Sequence, residues 1–233
     1  MNKELDFVKE MFDKIAHRYD FLNRLLSLRQ DVMWRTQMVR AAEPVKGSRV
    51  LDVACGTCDV ALEVSRHLNG RARITGLDFS HAMLCAGRRK LMKQKNQTIC
   101  LVNADALDLP FGPNIFDTAF IAFGIRNIMN RQRALGQFHR VLKKGGKLAV
   151  LELSTPQNPG LKKMYLTYFK KILPLVGALF SKDSHAYHYL PASVLHFPSP
   201  TAFATLMSDT GFGHVRFKQM TFGIVTLFIG TRE

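Results

Sequence analysis

The sequence predicts an α/β fold: a doubly wound, mainly parallel sheet of seven strands, preceded by an N-terminal helical extension. Three observations carry that expectation. From Arg49 onward, short apolar runs alternate with helical stretches, the rhythm of successive βα units. The first forty residues are instead helical in period throughout. Two β-like runs close the chain with no helix between them, which fits an antiparallel hairpin at the edge of the sheet.

Each element follows from its local pattern. In the extension, Phe12, Ile15, Tyr19, Leu22, Leu25 and Leu26 recur at three- and four-residue spacing, and Trp34, Met38 and Ala41 continue the habit. Glu43-Pro44-Val45-Lys46-Gly47 supplies a helix stop and a turn. Strands are predicted near 49–54, 73–78, 98–103, 115–122 and 147–153, with helices over 58–68, 81–95 and 130–142. Gly145-Gly146 reads as a turn feeding the fifth strand. An amphipathic stretch from Leu161 to Leu173 precedes Pro174 and a Tyr/His/Pro-rich loop region. The terminal runs lie at about 213–220 and 223–230. At 233 residues the chain suits one large domain: a helical cap over 1–46, a core over 47–155, and a 156–233 portion with a helix and loop insertion and the hairpin.

Hydrophobic residues at 47% and charged residues at 22% describe an ordinary folded protein. No apolar run approaches the roughly 20 residues that span a bilayer. The polar start from Met1 to Asp13 lacks the apolar stretch of a secretory signal. A cytoplasmic location is therefore expected, with the four cysteines as reduced thiols. The net charge is +15, scattered in small clusters such as Arg88-Arg89-Lys90, Lys143-Lys144 and Lys162-Lys163. Without a basic tail or a recognisable motif, nucleic acid is set aside as a partner. Peripheral attraction to an anionic membrane surface, at about 1 kcal/mol per basic residue near it, is the expectation; charge for solubility alone is the alternative.

Val50-Leu51-Asp52-Val53-Ala54-Cys55-Gly56-Thr57-Cys58-Asp59 is an apolar strand running into small residues and then a helix. Such a turn lets backbone amides approach a ligand at the helix N-terminus. Asp78 ends the second strand 20 residues beyond Cys58, where a ribose-binding carboxylate is expected. Asp105 follows the third strand, within reach of an adenine amino group. A dinucleotide wants glycines at the positions of Ala54, Gly56 and Asp59, and Asp59 puts a carboxylate where its pyrophosphate would sit. S-adenosylmethionine has no phosphate and carries a sulfonium and an ammonium, which Asp52 and Asp59 suit. The pattern thus points to this cofactor, with a nicotinamide dinucleotide second. Seven strands, five of them parallel, with a terminal hairpin fit the methyltransferase variant of the doubly wound fold. Cys55-x-x-Cys58 reads as two small residues in a tight turn, because Cys85, Cys100 and the histidines complete no metal set. No metal is expected.

Further blocks stand outside that loop: Tyr19-Asp20, Asn23, Ser27 and Trp34; Phe123-Gly124-Ile125-Arg126-Asn127; Arg140-Val141-Leu142-Lys143 with Gly145-Gly146; Glu152-Leu153-Ser154; and Asp183, Tyr187, Tyr189-Leu190, Ser193 and Pro198. Through these blocks the chain resembles the quinone-biosynthesis C-methyltransferases that methylate demethylmenaquinol or the corresponding ubiquinone precursor, over roughly residues 10 to 231. The resemblance implies the class I S-adenosylmethionine-dependent methyltransferase fold. It also implies cofactor contacts at Gly56, Thr57, Asp78, Asp105, Ala106 and the backbone at Ala122. The implied reaction is C-methylation of a prenylated quinol ring, foremost demethylmenaquinol to menaquinol. The family has Gly where this chain has Cys58, Pro at Lys144, and commonly Gly and His at Arg29 and Asp31. A Cβ at position 58 crowds the methionine moiety if the backbone there takes φ > 0. The changes at 29 and 31 bear on the substrate side.

Methyl transfer to an electron-rich ring carbon requires water to be excluded, carbon and methyl to be aligned, and the developing oxyanion to be stabilised. Arg126 and Asn127 are the expected catalytic groups at the substrate oxygen; a guanidinium with a pKa above about 12 serves there as donor, not base. Asp183 and Tyr187 are the further catalytic candidates, with Tyr189 beside them. His185 and His188 have the suitable pKa, about 6.5, but lie outside the resembling block. Packing of an amphipathic ring explains the tyrosines equally well. Glu152 and Trp34 are read as structural. The Leu161–Leu173 stretch either lies in a membrane interface or covers the sheet and lines an apolar tail channel. The expected partner is a membrane-borne prenyl quinol, met at the inner face of the plasma membrane. Two other classes stay open: an enzyme of this fold acting on another small molecule, and a basic binding protein retaining an inactive cofactor fold.

Overall fold

A computed structural model describes residues 3–168 and 185–233, and their side chains except those of 3–6 and 185–188. The extension folds into three helices, α1 (Lys3–Ile15), α2 (Tyr19–Leu26) and α3 (Gln30–Ala42). The break between α2 and α3 is sharp because Leu28 and Arg29 both take left-handed backbone, φ 51 and 63. Glu43 leaves α3 at φ 52, just before Pro44, which cannot continue the helix.

Five strands then alternate with helices: β1 (Arg49–Val53), α4 (Asp59–His67), β2 (Arg73–Asp78), α5 (His81–Lys93), β3 (Ile99–Asn103), β4 (Phe116–Ala122), α6 (Arg131–Val141) and β5 (Leu142–Leu153). The chain closes with β6 (Phe212–Met220) and β7 (Val225–Arg232). The sheet order is β3-β2-β1-β4-β5-β7-β6. The first five strands are parallel; β7 runs antiparallel to β5, and β6 antiparallel to β7. The hairpin is therefore at the edge as expected, with its second strand inserted against β5.

Successive side chains of a strand point to opposite faces, and here helices cover both. Val50, Phe120, Ala149 and Leu151 join one core with Trp34, Met38 and Val64, under α3 and α4. Leu51, Val53, Ala119, Ile121, Leu148 and Val150 join the other, with Leu135 and Phe138 of α6. That double covering is why the central strands read as unbroken apolar runs.

Two expectations need correction. Gly145-Gly146 is not a turn ahead of β5, because the strand runs through it. Pairing with β4 slips from Phe116↔Leu142 to Thr118↔Lys147, and Gly145 absorbs the slip at φ 78. The Tyr/His/Pro-rich region is not a loop where it is described. It holds α8 (His185–Leu195), with Pro191 inside, and α9 (Pro200–Asp209). The start of α9 has a local cause: Ser199 Oγ accepts from the Ala202 amide, and Pro200 occupies the first turn. The amphipathic stretch begins as α7 (Pro159–Thr167), capped by Asn158; its continuation to Leu173, and Pro174, lie outside the described residues.

Candidate active site

Two cavities open beyond the carboxyl ends of the parallel strands, where the strand order reverses between β1 and β4. One, about 70 Å³, is lined by Gly56, Asp78, Asp105, Ala106, Ala122 and Asn127, among others. The other, about 180 Å³, is mainly apolar and lined by residues of α1, α2, α3 and α7, with Arg126, Tyr189 and Ile224. Phe12, Tyr19 and Phe123 line both.

The loop after β1 is shaped by backbone geometry. Ala54, Gly56 and Cys58 all have positive φ, 52, 52 and 70. Gly124 lets the loop after β4 lie against it, since a Cβ there would stand 2.6 Å from the Ala54 Cβ. The Gly56 amide donates to Asp78 Oδ2 at 2.8 Å and the Ser80 amide to Oδ1 at 2.9 Å. Burial nonetheless pushes the Asp78 carboxyl up to about 6. Asp105 is held by the Leu107 amide, which donates to its Oδ1 at 2.9 Å.

The condition attached to Cys58, a left-handed backbone, is met. The residue is left-handed, yet its side chain turns to α5, where a Cβ on Gly87 would lie 2.6 Å from Sγ. Gly87 makes room for the thiol, and Cys58 does not line the cofactor-side cavity. Cys55 is buried beside it, and both are free thiols. The hydrogen bond to Cys58, with burial, pushes the Cys55 thiol up.

Asp52 and Asp59 do not face that cavity either. Asp52 lies behind the loop and accepts from the Ala61 amide at 3.0 Å; burial pushes its carboxyl up to about 8. Asp59 belongs to a half-buried ionic network. Burial alone would raise it, but Arg35 and Lys90 hold it down at about 2. Lys90 Nζ reaches Asp59 at 2.7 Å and Asp20 at 2.5 Å, while Thr57 Oγ1 donates to Asp20 at 2.5 Å. Thr57 therefore ties the cofactor loop to α2. Ser80 Oγ, which donates to Asp13 at 2.5 Å, ties α5 to α1 in the same way.

Arg126 and Asn127 are adjacent in sequence but serve different cavities, Arg126 the apolar one and Asn127 the cofactor side. Both lie in a 3₁₀ turn, Ile125–Asn127. Arg126 Nη1 donates to Glu152 Oε1 at 2.9 Å and to the Phe123 carbonyl at 2.5 Å, and Nε donates to Ser193 Oγ at 3.3 Å. Glu152, fully buried at the end of β5, also accepts from the Arg126 amide at 3.1 Å. Tyr189 Oη donates to Asn127 Oδ1 at 3.1 Å. Tyr187 stands in α8, with its side chain outside the described set, and Asp183 lies outside the described residues.

Tyr19 was not assigned a role from sequence, because it falls in the same helical stripe as Phe12, Ile15 and Leu22 and so reads as core. With Phe12 and Phe123 it forms the wall that the two cavities share. Burial raises its hydroxyl above the usual tyrosine value, although the nearby charges of Arg35 and Arg126 oppose the shift. Arg35, also unassigned, lines the apolar cavity with its guanidinium carbon 5.4 Å from the centre of the Phe123 ring. Trp34, expected in the core, is buried there and lines the same cavity.

The sheet order, the loop after β1 and the carboxylate ending β2 together define the class I S-adenosylmethionine-dependent methyltransferase fold. A solved S-adenosylmethionine-dependent methyltransferase from Aquifex aeolicus superposes with a TM-score of 0.63, covering 85% of this chain and 89% of that one; at 14% identity the likeness speaks for the fold alone. The model of the ubiE/COQ5 methyltransferase family matches residues 1–232, and the chain belongs to that family. It is 44% identical over 226 residues to the ubiquinone/menaquinone biosynthesis C-methyltransferase UbiE of Geobacter sulfurreducens, covering 97% of this chain and 88% of that protein. It is 42% identical over 222 residues to the demethylmenaquinone methyltransferase of Thermus thermophilus, covering 95% and 100%. The chain is thus an S-adenosylmethionine-dependent C-methyltransferase.

Proposed function

We propose that this enzyme methylates a ring carbon of a prenylated quinol, foremost demethylmenaquinol, and that it takes this substrate from a membrane surface. One observation carries the reading: an apolar cavity with a buried guanidinium in its wall shares Phe12, Tyr19 and Phe123 with the cofactor-side cavity. A bicyclic ring with an isoprenoid tail needs an apolar enclosure, and its hydroxyl needs a polar anchor where charge develops. The curated relatives bear names of this chemistry. Membrane contact accords with the +15 charge. Among the described residues no helix is long and apolar enough to cross a membrane.

The chain's residues fit S-adenosylmethionine. Asp78 and Asp105 present carboxylates in the smaller cavity for ribose hydroxyls and the adenine amino group, with Gly56, Ala106 and Ala122 giving close backbone approach. Asp52 acts on the cofactor from behind the loop, and Thr57, within the loop, acts by tying it to Asp20 of α2. When bound, the cofactor supplies an electrophilic methyl carbon on a sulfonium. Arg126 Nη2 makes no hydrogen bond among the described residues and is the donor proposed for the ring oxygen; a quinolate there puts electron density on the neighbouring ring carbon. Asn127, fixed by Tyr189, orients the two partners, and the aromatic wall excludes water. Asp183 and Tyr187 are the proposed acceptors of the proton released.

Mass spectrometry of reactions with reduced demethylmenaquinone and with the benzoquinol precursor tests the proposal. A methyl gain on the naphthoquinol is expected, and it should collapse in Arg126→Met. Turnover of neither quinol by a protein that binds S-adenosylmethionine would refute it.

A further inference from the structure

We propose that two loop tips, carrying Leu28 and Phe222, dock this protein on an anionic bilayer at the rim of the apolar cavity. The proposal rests on the prenylated-quinol reading and names the partner from which that substrate arrives. Leu28 is 80% exposed and Phe222 79%, more than any other large apolar side chain among the described residues. Both are held in left-handed backbone, φ 51 and 56. Bulky side chains avoid that region, and a water-facing position of this shape suits Asn or Gly. Folding alone accounts for neither choice, since each side chain buries little surface.

The two tips belong to one place on the molecule. Thr221, beside Phe222, donates to the Gln30 side chain at 2.8 Å and accepts from Trp34 Nε1 at 2.8 Å; Gln30 stands two residues after Leu28. Both tips also adjoin residues that line the apolar cavity: Leu26 and Ser27 precede Leu28, and Ile224 follows Phe222 by two. A tail entering between them passes directly from lipid to the cavity.

Charge selects the partner. Exposed Arg29 follows Leu28, and exposed Lys162 and Lys163 lie on α7, just past whose end the Tyr168 hydroxyl donates to the Leu26 carbonyl at 2.9 Å. Apolar tips among arginine and lysine, on a protein of net charge +15, match an acyl boundary beneath anionic headgroups.

The test uses the full chain and Leu28→Asn, Phe222→Asn and the double variant, because Asn tolerates left-handed backbone and keeps the fold. Cosedimentation is measured with phosphatidylcholine vesicles containing one-third phosphatidylglycerol, at low and high salt. Each substitution is expected to weaken binding about tenfold at either salt, the scale of one apolar side chain leaving a boundary. Lys162→Gln with Lys163→Gln should lower binding at low salt only. Turnover of a short-tailed, water-soluble quinol should be unchanged in the double variant, while turnover of a long-tailed quinol in vesicles falls. Vesicle binding unaltered by both Asn changes overturns the proposal, as does a wild-type protein that turns over the short-tailed quinol without binding vesicles. Loss of self-association in the double variant with vesicle binding intact assigns the tips to a second copy and overturns it equally. Vesicle binding through the tips with no quinol turned over leaves the docking standing and removes the substrate reading.

Discussion

Glu152 is the residue whose loss should be felt most. It is fully buried, and its two oxygens accept from Arg126 Nη1 at 2.9 Å, the Leu153 amide at 2.8 Å and the Arg126 amide at 3.1 Å. Glu152→Ala leaves a guanidinium with 7% of its side-chain surface exposed and no counter-ion, and it orphans two backbone donors. Removing one partner of a buried pair costs about 3–5 kcal/mol. For a domain of this size that corresponds to a fall in Tm of roughly 6–20 °C. Urea unfolding and calorimetry of the protein without ligands provide the measurement. Glu152→Leu combined with Arg126→Met removes both charges and should recover much of the loss. A Glu152→Ala variant destabilised by less than about 1 kcal/mol would show that the pair does not hold the wall of the apolar cavity.

Three further outcomes are expected. The Asp78 carboxyl titrates at about 6 in the folded protein and must be ionised to accept ribose hydroxyls; S-adenosylmethionine affinity by calorimetry should therefore weaken as pH falls below about 6, and Asp78→Asn should bind weakly with no such dependence. Asp52 is raised to about 8, so the folded state binds its proton more tightly than the unfolded chain, whose carboxyl titrates near about 4. Its contribution is complete below the unfolded value and is lost as pH rises to the folded one; Asp52→Asn should flatten the decline of the urea midpoint over that window. Gly87→Ala drives a Cβ into the Cys58 thiol and should cost about 1–3 kcal/mol and weaken the cofactor, whereas adding Cys58→Gly should restore much of both; equal losses with and without that second change would exclude the contact as the cause.

What the sequence made legible was what periodicity and strand ends control. Alternate burial of Val50 and Leu51 on two covered faces gave unbroken apolar runs, and Asp78 at the end of β2 and Arg126 in the turn after β4 stand where any βα reading looks. What stayed hidden depended on direction or on distant partners. Nothing local says that Cys58 turns toward Gly87, or that Asp59 spends its charge on Arg24, Arg35 and Lys90. Tyr19 shares a helical stripe with core residues, so only the approach of α2 to the loop reveals it as a wall. The helix over His185–Leu195 was masked by Pro191, although the Ser199-Pro200 start of the next helix carried a readable signal.

The central claim is that methyl and quinol ring meet at the wall formed by Phe12, Tyr19 and Phe123. It is tested most directly by following an isotopically labelled methyl from S-adenosylmethionine into reduced demethylmenaquinone and locating it by nuclear magnetic resonance. The label is expected on the ring carbon next to a hydroxyl-bearing carbon, in wild type and strongly diminished in Arg126→Met. Label on an oxygen, or none from a protein shown to bind the cofactor, would contradict the account.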